Sequence, residues 1–324
     1  MDISIIIVSY NTCALLRNCL VSVYDKVHGR EFEVIVVDNA SDDDSCAMVE
    51  NEFPRVRLLR NGENRGFAAA NNQAIRVSTG ACVLLLNSDT MLENDAVSIL
   101  YEFMRAHPRA AVCGPLLWNA DQTVQRSIDT HHTVTSLICR LMIGEGQKAS
   151  WRLLRDTYHP AVFDYSTPSQ ITNGWLTGAV LLIRREALGD VGLLDESYYF
   201  MMEDADWGLA VSRRGWETWF VPDAVVTHLL GGSRKFLSEE KEVVLKTRII
   251  RQHRYYVLKN LGLWRYGAYR LVVMVCFWVN LMRRVVVLPV RVTSDRSLAL
   301  FKLRLGWLML LAAMESDGGE PKGQ

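Results

Sequence analysis

The sequence predicts an α/β fold built around a mostly parallel central sheet with helices on both faces, followed by a helical, membrane-associating C-terminal region. Over the first half, short β-branched runs alternate with segments of helical periodicity, the signature of strands joined by crossover helices. Residues 81–86 are apolar throughout, as a central strand buried on both faces must be. From Glu239 onward the pattern changes, and Lys, Arg and His mix with long apolar stretches.

Residues 3–9 read as the first strand. Leu15, Leu16, Cys19, Leu20 and Val23 then recur at helical spacing, with Asn11 or Thr12 as the cap. A second strand over 32–37 ends at Asp38, and residues 42–52 read as a short acidic helix. Residues 56–59 are the third strand, and an Ala-rich helix spans 66–77. The central strand empties into Asn87-Ser88-Asp89. A helix over 94–106 stops ahead of Pro108, which cannot continue it, and a strand at 110–113 follows. Periodicity is lost over 118–170, read as an irregular insertion with short helices. A strand at 175–183 and a helix at 203–214 come next; the helix carries acids in its first turn and Arg213 and Arg214 in its last, the order a helix dipole favours. A strand at 216–221 precedes His228 and Gly231-Gly232-Ser233.

Of the 324 residues, 49% are hydrophobic, enough for a substantial core, and 36 Lys and Arg balance 36 Asp and Glu. No net field draws such a chain to nucleic acid, so no nucleic-acid partner is expected. The seven cysteines are scattered, with neither zinc-type pairs nor a disulfide framework, and read as buried thiols in a reducing compartment. The N-terminal apolar stretch is too short for a signal peptide, so the expected location is the cytoplasmic side of the membrane. The apolar segment 271–282 is shorter than the roughly 20 residues that cross a hydrocarbon core. Extending it to Val290 would place Arg283 and Arg284 at depth, which is costly. A peripheral, membrane-surface segment is therefore favoured over a single span, and 305–314 fits the same picture.

In open α/β sheets ligands bind beyond the carboxyl ends of the strands, where Asp38 and Asp89 both lie. A carboxylate at Asp38 can accept a hydrogen bond from a nucleobase N–H, though Asp and Asn are also common turn residues. Asp89 can bind a hard divalent cation, or it can cap a helix. In Glu203-Asp204-Ala205-Asp206 a rigid helix start could hold a general base, yet acids also fill helix N-termini by default. His228 suits Mn²⁺-like ions, with a glycine pair behind it able to approach phosphates, although a lone histidine is more often packed or exposed. Asn64-Arg65-Gly66 offers a further phosphate or base contact.

These stretches occur in an order that resembles the inverting glycosyltransferase family 2, above all its bacterial rhamnosyltransferase-like branch. The resemblance rests on Ser4-Ile5-Ile6-Ile7-Val8-Ser9-Tyr10-Asn11, Val36-Val37-Asp38-Asn39-Ala40-Ser41-Asp42, Glu63-Asn64-Arg65-Gly66-Phe67-Ala68 and Leu85-Leu86-Asn87-Ser88-Asp89. It continues through Trp175-Leu176-Thr177-Gly178-Ala179, Leu193-Leu194-Asp195-Glu196, Phe200-Met201-Met202-Glu203-Asp204-Ala205-Asp206, and Gly215-Trp216 to His228. It implies a GT-A domain over residues 1–235, with 118–170 on the acceptor side and 236–324 as the membrane-associating region. It also implies a nucleotide-sugar donor, dTDP-rhamnose before a UDP-sugar, and a glycan or lipid-linked glycan acceptor. By the same resemblance Asp204 is the catalytic base, and Asp89 and His228 hold Mg²⁺ or Mn²⁺. Ser9, Asn11, Asp38, Asn64, Arg65, Asn87, Ser88 and Asp89 bind the nucleotide sugar, while Trp175, Gly178 and Glu203 meet the donor or acceptor sugar. Asn87 stands where the family's D-x-D motif has its first acid, removing one negative charge from the metal site.

Two other classes compete with this reading. A dinucleotide-dependent oxidoreductase would carry G-x-G-x-x-G after the first strand, where this chain has Ser9-Tyr10-Asn11-Thr12-Cys13-Ala14. A non-catalytic nucleotide-sugar-binding subunit would share the fold but has no need of a base.

Overall fold

Period-two alternation along β-branched strands sends successive side chains to opposite faces of a sheet, and both faces here are apolar. The computed structural model describes residues 1–136, 165–199, 201–229 and 239–287. In chain order the first elements are β1 (Ile3–Ser9), α1 (Cys13–Lys26), β2 (Phe32–Asp38), α2 (Ser45–Glu52), β3 (Arg57–Arg60) and α3 (Phe67–Val77). There follow β4 (Cys82–Asn87), β5 (Thr90–Leu92), α4 (Ala96–Ala106), β6 (Ala110–Trp118), β7 (Val124–Gln125), β8 (Ile128–Thr130), β9 (Ser169–Gln170) and β10 (Gly174–Leu176). The last of this unit are β11 (Val180–Arg184), α5 (Arg185–Val191), α6 (Glu203–Arg213) and β12 (Glu217–His228).

The main sheet runs β3-β2-β1-β4-β11-β6-β12-β5, with β7 on β6 and β9 on β12. β3, β2, β1 and β4 are mutually parallel, as are β6 and β12. β11 lies antiparallel between β4 and β6 and joins these two blocks. Ile5, Ile7, Val36 and Leu84 face a core shared with Leu16, Leu20, Val97 and Leu100 of α1 and α4. Ile6, Ile35, Val37, Val83 and Leu85 face the other core, with Ala70, Ala74, Ala187, Trp207 and Val211 from α3, α5 and α6. Helices therefore cover both faces, as expected.

Several boundaries differ from the sequence expectation. The acidic segment forms a helix only from Ser45, because Asp43 turns back to accept from Cys13 N (2.9 Å) and Ser45 N (3.1 Å), meeting the first amides of two helices. The single strand expected over 175–183 is two. Gly174–Leu176 pairs with Ile128–Thr130 in a small separate sheet, and the chain turns at Thr177-Gly178-Ala179 before β11 joins the main one. Uniform apolarity hid that turn. β12 runs past Pro222 to His228 because a register shift between Val221 and Val225 absorbs the proline. His228 is consequently the last residue of a strand, paired with Thr90; Gly231-Gly232-Ser233, read as a loop behind it, lies outside the described residues. Within the stretch read as irregular, β7, β8 and β9 are strands, while residues 137–164 lie outside the described residues. Cys13, Cys19, Cys46, Cys82 and Cys113 are free; Cys19, Cys82 and Cys113 are buried, whereas Cys13 and Cys46 are only partly so.

The described residues after 238 belong to a second compact unit holding α7 (Glu239–Leu261) and α8 (Leu263–Val287), which pack on one another across a turn at Gly262 (φ +90°). Ile250, Tyr256, Val257, Tyr266 and Tyr269 are buried within it, whereas Trp264, Leu271, Val275 and Trp278 are exposed. Among the described residues no helix is long and apolar enough to cross a membrane; residues 288–324, including the apolar 305–314, lie outside them.

α6 is seated on β10 through a glycine. A Cβ on Gly208 would lie 2.6 Å from Trp175 Cβ, so Gly208→Ala is expected to lower stability by about 1–3 kcal/mol through overpacking, read in urea unfolding. Gly189→Ala is the control, since a Cβ there meets nothing within 4 Å, and it should be neutral or slightly stabilising.

Candidate active site

The parallel register pairs Ser9 with Asp38 and Val8 with Asn87. Polar residues that end three neighbouring strands therefore line one sheet edge, the edge at which open α/β sheets bind ligands. Asp38 is buried there. Its Oδ2 accepts from Ser41 N (3.0 Å), and its Oδ1 is buried with no hydrogen-bond partner. A polar oxygen left unpaired in a protein interior is costly, and it is an acceptor available to a ligand. Asn11, at φ +53°, braces the same turn: its side chain accepts from Asp42 N (2.7 Å) and its own N–H donates to Ser41 Oγ (2.9 Å).

Asn39 is the hub beside Asp38. Its Nδ2 donates to Asn64 Oδ1 (2.9 Å) and Gly66 O, and its Oδ1 accepts from Asn61 Nδ2 (3.0 Å) and Arg65 N (3.1 Å). Asn64 thereby acts as a loop brace, and the Arg65 side chain is left exposed. Gly66 adopts φ +81°, and a Cβ there would lie 2.5 Å from Tyr199 O, so this loop touches the segment leading into α6. On the other side of Ser9 a chain of hydroxyls runs from Ser9 Oγ to Thr12 Oγ1 (2.9 Å) and on to Ser88 Oγ (3.1 Å).

Asn87 N donates to Ala179 O (2.9 Å), which fixes the turn before β11 against the end of β4. Gly178 N, in that turn, donates to Asp204 Oδ2 (2.9 Å), and Ala205 N donates to Asp204 Oδ1 (2.8 Å). Met201 and Met202 precede this helix start at φ +72° and +76°. Two left-handed non-glycine residues cost on the order of 1–3 kcal/mol each; they turn the chain so that Glu203 and Asp204 open α6. Burial pushes Asp204 up to about 6 against the pull of its backbone donors, with the charge of Asp129 adding to the rise. Burial, then the charge of Asp204, pushes Glu203 well above the usual carboxylate range, and its Oε2 is buried without a partner. The third acid, Asp206, is buried and accepts from Tyr198 OH (3.2 Å).

At the end of β12, His228 Nε2 lies 3.2 Å from Asp89 Oδ1, and Asp89 O accepts from Leu229 N (2.9 Å). The opposite ring nitrogen, Nδ1, meets Gln125 Oε1 at 2.7 Å. Trp175 is buried, with its indole N–H on Thr130 O (3.2 Å); its place is beneath α6. Thr12 reads in the sequence only as a helix cap and Asn39 only as the neighbour of Asp38 in its motif, while Asn72 and Gln125 belong to no motif. Asn72 exchanges two hydrogen bonds with the Leu194 backbone (2.7 and 3.1 Å) and donates to Glu196 Oε1, tying α3 to the approach to α6. The signal was legible: two asparagines interrupt an alanine-rich helix, and a buried amide needs partners.

Comparisons with known proteins identify the fold and the family. The family model described as glycosyl transferase family 2 matches residues 4–187. The N-acetylglucosaminyl-diphospho-decaprenol L-rhamnosyltransferase of Mycobacterium tuberculosis is 29% identical over 211 residues, covering 61% of this chain and 67% of that protein. Chondroitin synthase of Escherichia coli is 31% identical over 106 residues, 32% of this chain and 15% of that one. Among solved structures, the mannosyltransferase PcManGT of Pyrobaculum calidifontis, in complex with GDP-Man and Mn²⁺, superposes with a TM-score of 0.52 at 15% identity. It covers 96% of this chain and 85% of that one. GalNAc-T7 with UDP, GalNAc and Mn²⁺ gives 0.53 at 15% identity, over 79% and 50% of the two chains. These structural likenesses establish the GT-A fold. Because the family model spans more than half of its length, the chain belongs to glycosyl transferase family 2 and is a glycosyltransferase.

Proposed function

We propose that this glycosyltransferase moves a sugar from a nucleoside-diphosphate donor to a hydroxyl of a lipid-linked glycan, with inversion at the anomeric carbon and Asp204 as general base. The observation that carries this reading is the placement of Asp204. Its carboxylate is fixed by two backbone N–H groups at the helix start, one of them from the Gly178 turn that is bonded to the end of β4. A base held this way needs no reorganisation to meet an incoming hydroxyl.

The acceptor hydroxyl attacks the anomeric carbon from the face opposite the departing diphosphate, and its proton passes to Asp204. Glu203 keeps its proton over a wider pH range and can donate to a sugar oxygen. Asp38 Oδ1 is suited to accept a nucleobase N–H, with Asn39 holding the Asn64-Arg65 loop beside it. Asp89 and His228 supply one oxygen and one nitrogen donor, a set that suits Mg²⁺ or Mn²⁺. Among the described residues no cluster of three His, Cys, Asp or Glu side chains forms, so substrate phosphate oxygens and water would complete the coordination. An ion bound there would neutralise charge on the leaving diphosphate. The rhamnosyltransferase relative supports rhamnose as the sugar transferred and a polyprenyl-diphosphate-linked sugar as acceptor; the donor proposed is dTDP-rhamnose before a UDP-sugar.

A lipid-borne acceptor places the enzyme at a membrane surface. Trp264, Leu271, Val275 and Trp278 are exposed at helical spacing along one face of α8, an arrangement suited to the headgroup boundary with Arg265 and Arg270 on the same helix. The proposed location is peripheral, on the cytoplasmic side.

Asp204→Asn is expected to fold, to bind nucleotide sugar, and to lose about 10²- to 10⁴-fold in kcat; near-wild-type turnover would sink the assignment. The base works ionised and its pKa sits at about 6, so kcat should rise with pH through that value and level off above it. A flat profile between pH 5 and 8 would count against Asp204. Replacing Trp264 and Leu271 together by Asp should abolish sedimentation with anionic lipid vesicles while leaving turnover of a soluble acceptor analogue intact. Undiminished sedimentation would remove α8 as the docking face.

A further inference from the structure

The hairpin that links β6 to β7 contains a one-way line of hydrogen bonds ending on His228. Asp121, at the tip, is a carboxylate and can only accept. Thr123 N (3.1 Å) and the Thr123 hydroxyl (2.6 Å) both donate to it, and these bonds hold its pKa below the usual carboxylate value. The Thr123 oxygen, its proton committed, accepts from Asn119 Nδ2 (2.9 Å). Asn119 then presents Oδ1, which accepts from Gln125 Nε2 (2.8 Å). The same Nε2 donates to the His228 carbonyl (3.2 Å), so the Gln125 amide has one workable orientation. Its Oε1 faces His228 Nδ1 at 2.7 Å and accepts.

Backbone geometry holds this line in place. Asn119 N donates to Thr123 O (2.8 Å), Gln122 N donates to Asn119 O (2.9 Å), and Gln122 sits at φ +62° to close the turn. Gln125 pairs with Leu117 on β6, and Leu117 pairs with Val226 two residues before His228. A buried glutamine reaching across strand ends would be a liability without partners; here both ends of its amide are bonded.

We propose that Gln125 is a positioning residue that keeps the neutral His228 ring in its Nδ1–H tautomer, leaving the Nε2 lone pair facing Asp89 for a divalent cation. The inference rests on the reading of Asp89 and His228 as metal ligands. Asp89, an anion 3.2 Å from Nε2, would on its own draw the ring proton to Nε2 and close off that lone pair. An acceptor on Nδ1 whose polarity is set four hydrogen bonds away, at Asp121, opposes that pull. Second-shell acceptors of this kind fix ring tautomer and raise ligand basicity, and their loss costs about 10- to 100-fold in metal affinity.

The test uses the full chain labelled with ¹⁵N-histidine at pH 8, with the His228 signals identified by their loss in His228→Ala. Long-range ¹H–¹⁵N spectra of the metal-free wild type should show protonated Nδ1 and bare Nε2; an Nε2–H ring in the wild type overturns the proposal without any variant. Gln125→Met, similar in volume but no comparable acceptor, should move the proton to Nε2 and weaken Mn²⁺ binding, titrated by electron paramagnetic resonance with the metal alone, about 10- to 100-fold. Gln125→Glu restores an acceptor and should return the ring to Nδ1–H. If His228→Ala binds Mn²⁺ as the wild type does, the metal-ligand reading fails. If His228→Ala loses Mn²⁺ while Gln125→Met keeps both tautomer and affinity, the role of Gln125 alone is refuted.

Discussion

The five residues of β11 are the constraint on which the site depends. Val180 to Arg184 pair antiparallel with Leu86 to Cys82 on one side and, through Leu182 and Ile183, with Cys113 and Val112 on the other. Without that strand the block ending in Ser9, Asp38 and Asn87 and the block ending in His228 would be separate sheets. Its last residue and the first residue of α5 secure it. The Arg184 guanidinium donates to Ala110 O, Met104 O and His107 O, meeting carbonyls at the end of α4, and Arg185 donates to Gly80 O and Ser78 Oγ. Charge-assisted bonds of this kind contribute more than neutral ones. Because β11 runs against its neighbours, its start lies at the edge where they end, which is how Gly178 comes to hold Asp204.

The edge contains two regimes of electrostatics. At Glu203 and Asp204, burial dominates and raises both carboxyls, so two adjacent acids differ in how readily they ionise. Backbone donors moderate the rise at both, from three residues at Asp204 and from one at Glu203. At Asp89 and His228 a carboxylate and an imidazole are set face to face with little water around them, and the ring's outer nitrogen is held by a neutral amide. The left-handed pair Met201 and Met202 belongs to the first regime: a conformation that a free chain avoids is held so that two acids open a helix.

Much of the fold was legible because alternation and apolarity are local signals. The β1, β2 and β4 runs, the helices after them, and the end of β4 at the Asn87-Ser88-Asp89 turn needed no tertiary information. The family motifs placed Asp38, Asp89, Asp204 and His228 in order along the chain. Less was legible where the chain breaks a local rule. Pro222 lies inside a strand, the turn at Gly178 sits within an apolar run, and Asp43, ahead of α2, closes a turn. In each case a tertiary partner supplies what the local sequence lacks: a register shift for Pro222, Asn87 N and Asp204 Oδ2 for the turn, and Cys13 N for Asp43.

By itself the sequence determined the fold class, the family and the chain order of the acids, because each depends on patterns that survive without knowledge of neighbours. Only the tertiary structure decided which polar groups face which. Asn72 and Gln125 carry no motif that distinguishes them from any surface amide, and Asn39 stands in its motif only as the neighbour of Asp38. They matter because burial obliges each to bond at both ends, and the partners that satisfy them come from segments up to 124 residues away.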